Sequence, residues 1–456
     1  MRKHDIWVGG LLAIGLLIRL LVMRWPPFPI DMNDWIAWGE HVLRVGPSGF
    51  YTESLFSDYA PGYVYVMWLT AAIKNALLPN AGLGTYYFLY RITPILFDLA
   101  TTVLIYVLVV RTLQSAQPEA AVVRRERLAW LGVIAAACYV LNPAIIFNSA
   151  IWGQVDASFT FFMLLTLALM LYGQPEAAVA SYVVAFLIKP QSISIAPVLA
   201  IMLLLRFPWV RWLRAGTVGV LLAFVILFPF FGFGSFLRLI TLLNKSVETY
   251  PFTSLFTYNL WGVYGFWKDD TVPLVGGLTL RTFGTLLYII GISYGLFFLV
   301  RQLRRSNFHA PIVFCFATYF TFLPVMVLTR MHERYLYPVL PFLLLFALMY
   351  PLYRSNTTSG SFAQYIRNAP FAIYLCLTVL HTINLYQVYI YYLNYPASVP
   401  QSNVAFYFID QQSRLWSVLT LLLFVAISVI VSMGQAKEQR RLSTQGHGAV
   451  SGESPP

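Results

Sequence analysis

Charged residues are scarce in this chain: Asp, Glu, Lys and Arg make up 11% of its 456 residues, against about 25% in a typical soluble domain. This scarcity excludes an ordinary soluble domain. Acidic residues are the scarcer sign, with 18 Asp and Glu against 30 Lys and Arg and a net charge of +12. The arginines stand in short loops beside apolar runs, which is the positive-inside pattern of membrane proteins. We therefore predict membrane lipids, and no nucleic acid, as partners.

Cysteine is also rare, and Cys138, Cys315 and Cys376 each fall inside a predicted helix, without paired spacing or a neighbouring His. Such cysteines are typical of apolar packing. Their arrangement excludes a disulfide framework and a Cys-based metal site. We predict no metal site and no required cofactor, and a divalent cation held by clustered carboxylates stays an open alternative.

Long apolar runs make up most of the chain, of which 59% is hydrophobic. About twelve of them reach or approach the ~20 residues that a helix needs to cross a bilayer, and backbone polar groups in lipid require helices. The sequence therefore predicts an all-α polytopic membrane protein whose first run is an uncleaved helix. The predicted crossings are 6–23, 87–110, 128–147, 157–173, 176–188, 192–206, 214–232, 280–301, 311–329, 335–352, 369–392 and 413–433.

Basic clusters separate these runs, and the positive-inside rule places each cluster in the cytoplasm. The number of crossings between two clusters must then be even, so one of the first three runs, 6–23, 61–78 and 87–110, does not cross. We assign 61–78 as a juxtamembrane helix on the outer face, because it opens with Pro61-Gly62, carries Lys74 and is rich in Tyr and Trp. Both termini are therefore predicted to be cytoplasmic, with 24–60 and 233–279 as external loops. The polar tail 434–456 is predicted to be disordered in the cytoplasm.

Short polar strings interrupt the apolar runs, and the same count puts all of them on the external side. Asp31 and Asp34 lie three residues apart in the first loop, so on a helical turn they share a face. Two such carboxylates can divide acid and base roles or hold a cation. Alternatively, Asp34 caps a helix from about Trp35 to Val45. Because ionisable groups beside spanning helices are costly, the strings indicate a functional site.

Asp156 ends the string Trp152-Gly153-Gln154-Val155-Asp156. It is either part of the site or the N-cap of a helix that begins at Ala157. Lys189 stands between two short runs, which we interpret as broken helices of the kind that line a cavity. Its ammonium group either faces a phosphate or extends to the membrane interface.

Four ionisable side chains stand close together at 330–334: Arg330, His332, Glu333 and Arg334. Guanidinium groups match the geometry of phosphate oxygens, so this string predicts a phosphate clamp. The alternative is a surface pair between Arg330 and Glu333, which would contribute little to stability.

Asp98 lies within the predicted helix 87–110, and Arg91 lies two turns earlier on the same face. We predict that these two side chains pair inside the bundle.

The strings, in this order, resemble bacterial membrane proteins related to the eukaryotic GPI mannosyltransferase of the second-mannose step, in the GT-C superfamily of glycosyltransferases. The resemblance covers residues 1 to about 350 of this chain. In this sequence Ala60 replaces one proline of the usual Asp-Tyr-Pro-Pro-Gly. The resemblance rests on Asp31, Trp35-Ile36-Ala37-Trp38, Phe50-Tyr51, Asp58-Tyr59-Ala60-Pro61-Gly62-Tyr63, Trp152-Gly153-Gln154-Val155-Asp156, Lys189-Pro190-Gln191 and Met331-His332-Glu333-Arg334-Tyr335-Leu336-Tyr337-Pro338.

The resemblance implies a GT-C transmembrane domain over 1–433 and an enzyme of the bacterial cytoplasmic membrane. Its substrates would be a polyprenyl-phosphate-linked hexose, mannose by analogy, and a hydroxyl of a glycan or lipid acceptor on the external face. The transfer would invert the sugar, with Asp31 aligned with the catalytic base and Asp34 where relatives often have an uncharged residue. We expect catalytic roles for Asp31, Asp34 and Asp156, and substrate-binding roles for Asp58, Tyr59, Trp152, Gln154, Lys189, Gln191, Arg330, His332, Glu333 and Arg334.

A transporter or lipid flippase is the alternative function, because such proteins also have broken helices and charges within the membrane. Transport would require polar residues that are accessible from both sides, whereas these strings gather on one. The external segment 233–279 is predicted to shape acceptor binding.

Overall fold

The protein is helical almost throughout, as a computed structural model that describes residues 3–52, 55–115, 122–306, 308–354 and 361–433 shows. The predicted all-α polytopic class is confirmed. The predicted tail 434–456 lies outside the described residues. The helices are α1 (Lys3–Val22), α2 (Pro29–Val45), α3 (Pro61–Leu77), α4 (Leu83–Ser115), α5 (Val122–Val140), α6 (Pro143–Ile146), α7 (Asp156–Leu171), α8 (Pro175–Ile188), α9 (Ala196–Arg206), α10 (Trp209–Phe231), α11 (Ser235–Glu248), α12 (Leu260–Tyr264), α13 (Leu280–Ser306), α14 (Ala310–Val327), α15 (Val339–Arg354), α16 (Ser361–Asn394), α17 (Val404–Gln411) and α18 (Ser413–Met433).

Short strands occur only in the polar connections of the described chain. They are β1 (Ser254–Leu255), β2 (Pro273–Val275), β3 (Leu278–Thr279) and β4 (Met331–His332). β2 and β3 form an antiparallel pair within one connection. β1 pairs in parallel with β4, with Leu255 opposite His332, so the segment after α11 is joined to the string at 330–334.

Eight helices of the described chain are long and apolar enough to cross a membrane. A bent pair, from Glu126 to Trp152, adds a ninth, and three shorter apolar helices lie between residues 156 and 206. The twelve predicted crossings coincide in sequence with these segments. Run 61–78 corresponds to α3, which has 17 residues, and its position at the outer face stays a prediction.

The predicted interruption at Lys189-Pro190-Gln191 is confirmed. α8 ends at Ile188, Lys189 has an extended backbone, and Pro190–Ile195 forms a 3-10 turn before α9. Pro190 cannot continue the hydrogen-bond ladder of α8 because it has no backbone N–H. The backbone therefore opens at the residue whose side chain is charged.

The centre of the bundle is α14, in which every residue except Pro324 is buried. Because its side chains are shielded on every side, α14 is surrounded by other parts of the protein and not by lipid. α14 ends at Val327, three positions before Arg330. The most buried helix thus leads directly to the string at 330–334.

The predicted pair between Asp98 and Arg91 is wrong. Asp98 on α4 pairs instead with Arg19 on α1, at 3.0 Å, and both side chains are fully buried. Its carboxylate also accepts hydrogen bonds from Ser149 (2.5 Å) and Tyr337 (2.6 Å). Arg91 donates to the backbone carbonyls of Tyr87, Trp25 and Ala150. The two charged residues on one helix face therefore do not pair: Asp98 pairs with α1, and Arg91 donates to carbonyl groups of its own helix and of two other segments.

We expect Asp98→Asn to lower the free energy of unfolding by about 3–5 kcal/mol, because it leaves the Arg19 guanidinium buried without its counter-ion. Thermal unfolding of the purified protein in detergent measures this loss. The matched control is Glu176→Gln, which removes the partner of Arg211 in a partly exposed pair and should change stability little. Equal losses in the two variants would contradict the role given to the buried pair.

Candidate active site

α2 presents Asp31 and Asp34 from the first external segment. Pro29 begins the helix, as proline does at a first turn, and Met32, Trp35 and other residues at helical spacing are buried beneath it. Because α2 begins well before Trp35, Asp34 lies inside the helix, and the expectation that it caps a helix is wrong. Asp31 lies in the first turn, where the helix dipole favours an anion.

Asp31 is held by the string at 152–156. The indole Nε1 of Trp152 donates to Asp31 Oδ2 at 2.8 Å, and the amide Nε2 of Gln154 donates to the same oxygen at 2.7 Å. The hydroxyl of Tyr59 donates to Gln154 Oε1 at 3.3 Å. The string at 152–156 therefore contacts the Asp31 carboxylate directly, across 123 residues of sequence, and links it to Tyr59 through Gln154.

Gly153 makes this double contact possible. A π-helical turn, Phe147–Trp152, ends at Gly153, which has φ +88°. A Cβ there would lie 2.9 Å from Cγ of Arg91, so a larger residue would be both strained and crowded. The left-handed turn sets Trp152 and Gln154 on either side of one acceptor oxygen.

Asp156 and Lys189 form a second buried contact, with Lys189 Nζ 2.5 Å from Asp156 Oδ1. Asn148 donates to the other carboxylate oxygen at 3.0 Å. Asp156 is the first residue of α7 but makes no capping hydrogen bond, so the interpretation as an N-cap is wrong. Lys189 is 5% exposed, which also contradicts its extension to the interface.

Arg330 is fixed by Asp270, in the segment after α11, and by the last two residues of α11. Its guanidinium donates to both oxygens of Asp270, Nε at 2.7 Å and Nη2 at 3.0 Å. Nη1 donates to the Val247 carbonyl at 2.7 Å and to Glu248 at 2.9 Å. The alternative pair with Glu333 is therefore wrong. Arg330 adopts φ +66°, and this bidentate pairing supports the unusual backbone.

Arg334 lies between two carboxylates. Its Nη1 donates to Glu333 Oε1 at 3.1 Å, and its Nη2 lies 3.8 Å from Asp31 Oδ1. Its Nε is buried and has no hydrogen-bond partner among the described residues. Burial, followed by the charges of Arg334 and Lys189, holds the pKa of His332 well below its usual value. His332 is thus neutral at pH 7, and Arg334 is the cation closest to Asp31.

A cavity of about 580 Å³ joins these contacts. Trp152, Gln154 and Asp156 are fully buried and do not line the cavity. They contact Asp31 and Lys189, which do line it. The predicted site residues that line the cavity are Asp31, Asp34, Asp58, Tyr59, Lys189, Gln191, Arg330, His332, Glu333 and Arg334.

The carboxylates of Asp31, Asp34 and Asp58 are among the groups that line this cavity. Burial, with smaller contributions from Asp31 and Asp58, raises the pKa of Asp34 to about 6. Burial also raises the pKa of Asp58, against the charge of Arg334. No group of three or more His, Cys, Asp or Glu side chains in the described chain is arranged as a metal site.

A family model described as GPI transamidase subunit PIG-U matches residues 46–276, about half of the chain. The chain belongs to the PIG-U family. The PIG-U match contains Asp58, the string at 152–156 and Lys189, whereas Asp31 and the string at 330–334 lie outside it. A comparison with curated proteins finds no match. The PIG-U membership supports a GPI-related membrane protein, and the narrower mannosyltransferase assignment stays a proposal.

Several cavity residues of this PIG-U family member were missed in the sequence. Ser246, Tyr250 and Arg281 line the cavity, and the ring of Tyr250 contacts that of His332 with centroids 5.6 Å apart. Ser246 and Tyr250 belong to the segment 233–279 that was expected to shape acceptor binding. The sequence offered no signal for these particular positions, because Ser and Tyr are common in polar connections and Arg281 stands at the start of an apolar helix.

We expect Asp34→Asn to stabilise the protein above pH 6 and to leave stability unchanged below pH 4. The folded state raises the pKa of Asp34 from 3.8 to about 6, so its ionisation between these pH values lowers the stability of the wild type. After allowance for solvent screening, the gain should be about 1 kcal/mol. Unfolding temperatures of both proteins between pH 3.5 and 8 measure it.

The control for this variant is Asp269→Asn. Hydrogen bonds from Thr271 lower the pKa of the exposed Asp269 carboxyl, so its replacement should give no gain above pH 6. A constant difference between Asp34→Asn and wild type across the pH range would contradict the raised pKa.

Proposed function

We propose that this protein transfers a mannose-like hexose from a polyprenyl-phosphate-linked donor to an acceptor hydroxyl, with inversion at the sugar. The observation that carries the proposal is the Asp31 carboxylate at the cavity wall. One of its oxygens is fixed by Trp152 and Gln154, and the other lies toward Arg334. A base and a cation for phosphate are thus available within one enclosed space.

Asp31 acts as the general base in this reaction. The acceptor hydroxyl loses its proton to Asp31 Oδ1 while its oxygen forms a bond to C1 of the sugar, and the bond from C1 to the phosphate oxygen breaks. The products are the glycosylated acceptor, the protonated carboxyl group and the polyprenyl phosphate. Fixed orientation of the base supports this role, because proton transfer requires hydrogen-bond geometry before it requires a suitable pKa.

Arg334 and Lys189 stabilise the charge of the leaving phosphate. The Nε of Arg334 is buried and has no hydrogen-bond partner among the described residues, and a phosphate oxygen would supply the acceptor that it lacks. Lys189 is already paired with Asp156, and its role is to contribute positive charge from a fixed position. Such preorganised donors stabilise developing charge without rearrangement. Phosphate is itself a good leaving group, so charge stabilisation is sufficient.

Gln191 and Asp58 bind the sugar or the acceptor. Both line the cavity, and Gln191 Oε1 is a buried acceptor with no hydrogen-bond partner in the described part of the chain. An unmade hydrogen bond in a cavity is costly unless a ligand or water completes it. Sugar hydroxyls are donors of the kind required. A substrate without a hydroxyl at this position would leave the Gln191 oxygen unpaired and would therefore bind more weakly than the hexose.

The cavity faces the exterior or periplasm in this proposal, and both termini are cytoplasmic. The support is the distribution of arginines, since the basic clusters alternate with the polar strings along the chain. Membership in a GPI-related family supports a substrate that combines sugar with lipid.

A second candidate function is the binding of a glycolipid without transfer, as a subunit of a larger complex. The observation that favours it is the description of the matched family as a transamidase subunit. The cavity would then hold a lipid-linked glycan for a partner enzyme, and Asp31 would accept a hydrogen bond from it without accepting a proton.

We expect Asp31→Asn to lower sugar transfer by roughly 10² to 10⁴, the usual contribution of a general base. The assay follows radiolabelled mannose from polyprenyl phosphate to a membrane-lipid and glycan extract, catalysed by purified protein in nanodiscs. Asp269→Asn is the control, because it removes an exposed carboxylate that does not line the cavity and should leave transfer unchanged.

Equal transfer by wild type and folded Asp31→Asn would reject Asp31 as the base. If the wild type binds the donor but transfers sugar from no hexose donor, the glycolipid-binding function replaces the enzyme.

A further inference from the structure

Helix α11 differs from the spanning helices because it carries three distinct faces. Ser235, Leu239, Leu242 and Ser246, spaced at helical intervals, are buried or partly buried against the bundle. A second face consists of Phe236, Ile240, Leu243 and Val247, and a third of Arg238, Thr241, Lys245 and Glu248. A helix that packs against a protein on one side and faces water on the other needs only a buried face and a polar face. The additional apolar face of α11 therefore requires a separate explanation.

The second face is open in the structure. Its exposed fractions are 42% for Phe236, 55% for Ile240 and 54% for Val247. α11 has 14 residues, about 21 Å of helix, which is too short to cross a hydrocarbon core of about 30 Å. A spanning orientation therefore does not account for the apolar face.

The third face is basic on balance. Arg238 and Lys245 are exposed, whereas the single acid, Glu248, is neutralised by Arg281 and Arg330 at 2.6 and 2.9 Å. Basic residues beside an apolar face are typical of helices that lie in the interface of a membrane containing anionic lipids.

Aromatic residues mark the corner between α10 and α11. Phe233 is 92% exposed and contacts Phe228 of α10, with ring centroids 5.3 Å apart. Phe224 and Phe236 complete this cluster across the turn at Gly232–Gly234. α10 has 23 residues and is long enough to span the bilayer. The corner therefore lies where the chain leaves the hydrocarbon core.

We propose that α11 lies along the membrane surface on the cavity side, with Phe236 and Ile240 of its second face in the acyl-chain boundary and Arg238 and Lys245 on anionic lipid headgroups. Three observations agree on this occupant: the helix is too short to span, it continues from a spanning helix, and it combines exposed apolar side chains with two basic side chains that have no acidic partner among the described residues.

This surface helix also forms a wall of the active-site cavity. Leu243, Ser246 and Val247 line the cavity, and Ser246 donates to the Asp58 carbonyl at 3.3 Å. Arg330 donates to the Val247 carbonyl at 2.7 Å. The same helix that contacts lipid on its outer side thus contacts the cavity residues Asp58 and Arg330 on its inner side.

Spin labels along α11 in the full-length protein in nanodiscs test the proposal. Single cysteines replace Phe236, Ile240, Thr241 and Lys245, one at a time, after the native cysteines have been changed to Ala. We expect labels at 236 and 240 to collide mainly with oxygen, and labels at 241 and 245 mainly with a water-soluble nickel chelate. Val225→Cys on α10, a site that is 65% exposed, is the lipid reference.

Photo-crosslinking in the otherwise native chain provides a second test that does not require the cysteine-free variant. A benzophenone amino acid in place of Ile240 should crosslink to phospholipid, and one in place of Thr241 should not. In nanodiscs that contain phosphatidylglycerol and phosphatidylcholine, Arg238→Gln and Lys245→Gln should each reduce the preference for phosphatidylglycerol by roughly fivefold.

Two results would overturn the proposal. Nickel accessibility at 236 and 240 equal to that at 241 would place the apolar face in water. Labels at 236 and 240 that are shielded from both reagents would show that protein covers the face, as in an association between two copies.

Discussion

The pairing of buried charges is the constraint on which the rest of this structure depends. A carboxylate or guanidinium among apolar helices loses several kcal/mol of hydration, and only a close partner offsets that loss. Arg19 with Asp98 and Lys189 with Asp156 meet this requirement inside the bundle. Each pair joins segments distant in sequence, so the charges also determine which helices lie side by side.

Asp31 is held in a different way. Its nearest cation, Arg334, is 3.8 Å away, and its direct hydrogen bonds come from the neutral side chains of Trp152 and Gln154. The Asp31 carboxylate is therefore oriented by neutral hydrogen-bond donors and forms no close ion pair with a described residue. Arg334 also keeps one donor for a ligand, because its Nε has no hydrogen-bond partner among the described residues. A base and an anion-binding group coexist because neither neutralises the other completely.

The sequence predicted the helical class, the twelve apolar segments and the residues that gather in the cavity, because hydropathy and rare polar strings are local signals. It did not predict which charged side chains form ion pairs. Asp98 was paired with Arg91 since both lie on one helix face, but the rotation of that face toward α1 depends on packing across the bundle. For Arg330 the alternative to a phosphate clamp was a pair with Glu333, yet its partner is Asp270, which the segment after α11 brings to it without any periodic pattern in the sequence. The pairs Arg330–Asp270 and Arg19–Asp98 are 60 and 79 residues apart, and no local pattern in a single sequence indicates contacts at such separations.

Cryo-electron microscopy of the protein in nanodiscs with polyprenyl phosphate tests most directly that these strings form one lipid-phosphate site. The account predicts phosphate density within hydrogen-bond distance, about 3 Å, of Arg334 Nε, with Asp31 facing the space that the sugar would fill. Phosphate bound outside this cavity, or within it but away from Arg334 and Lys189, would contradict the account.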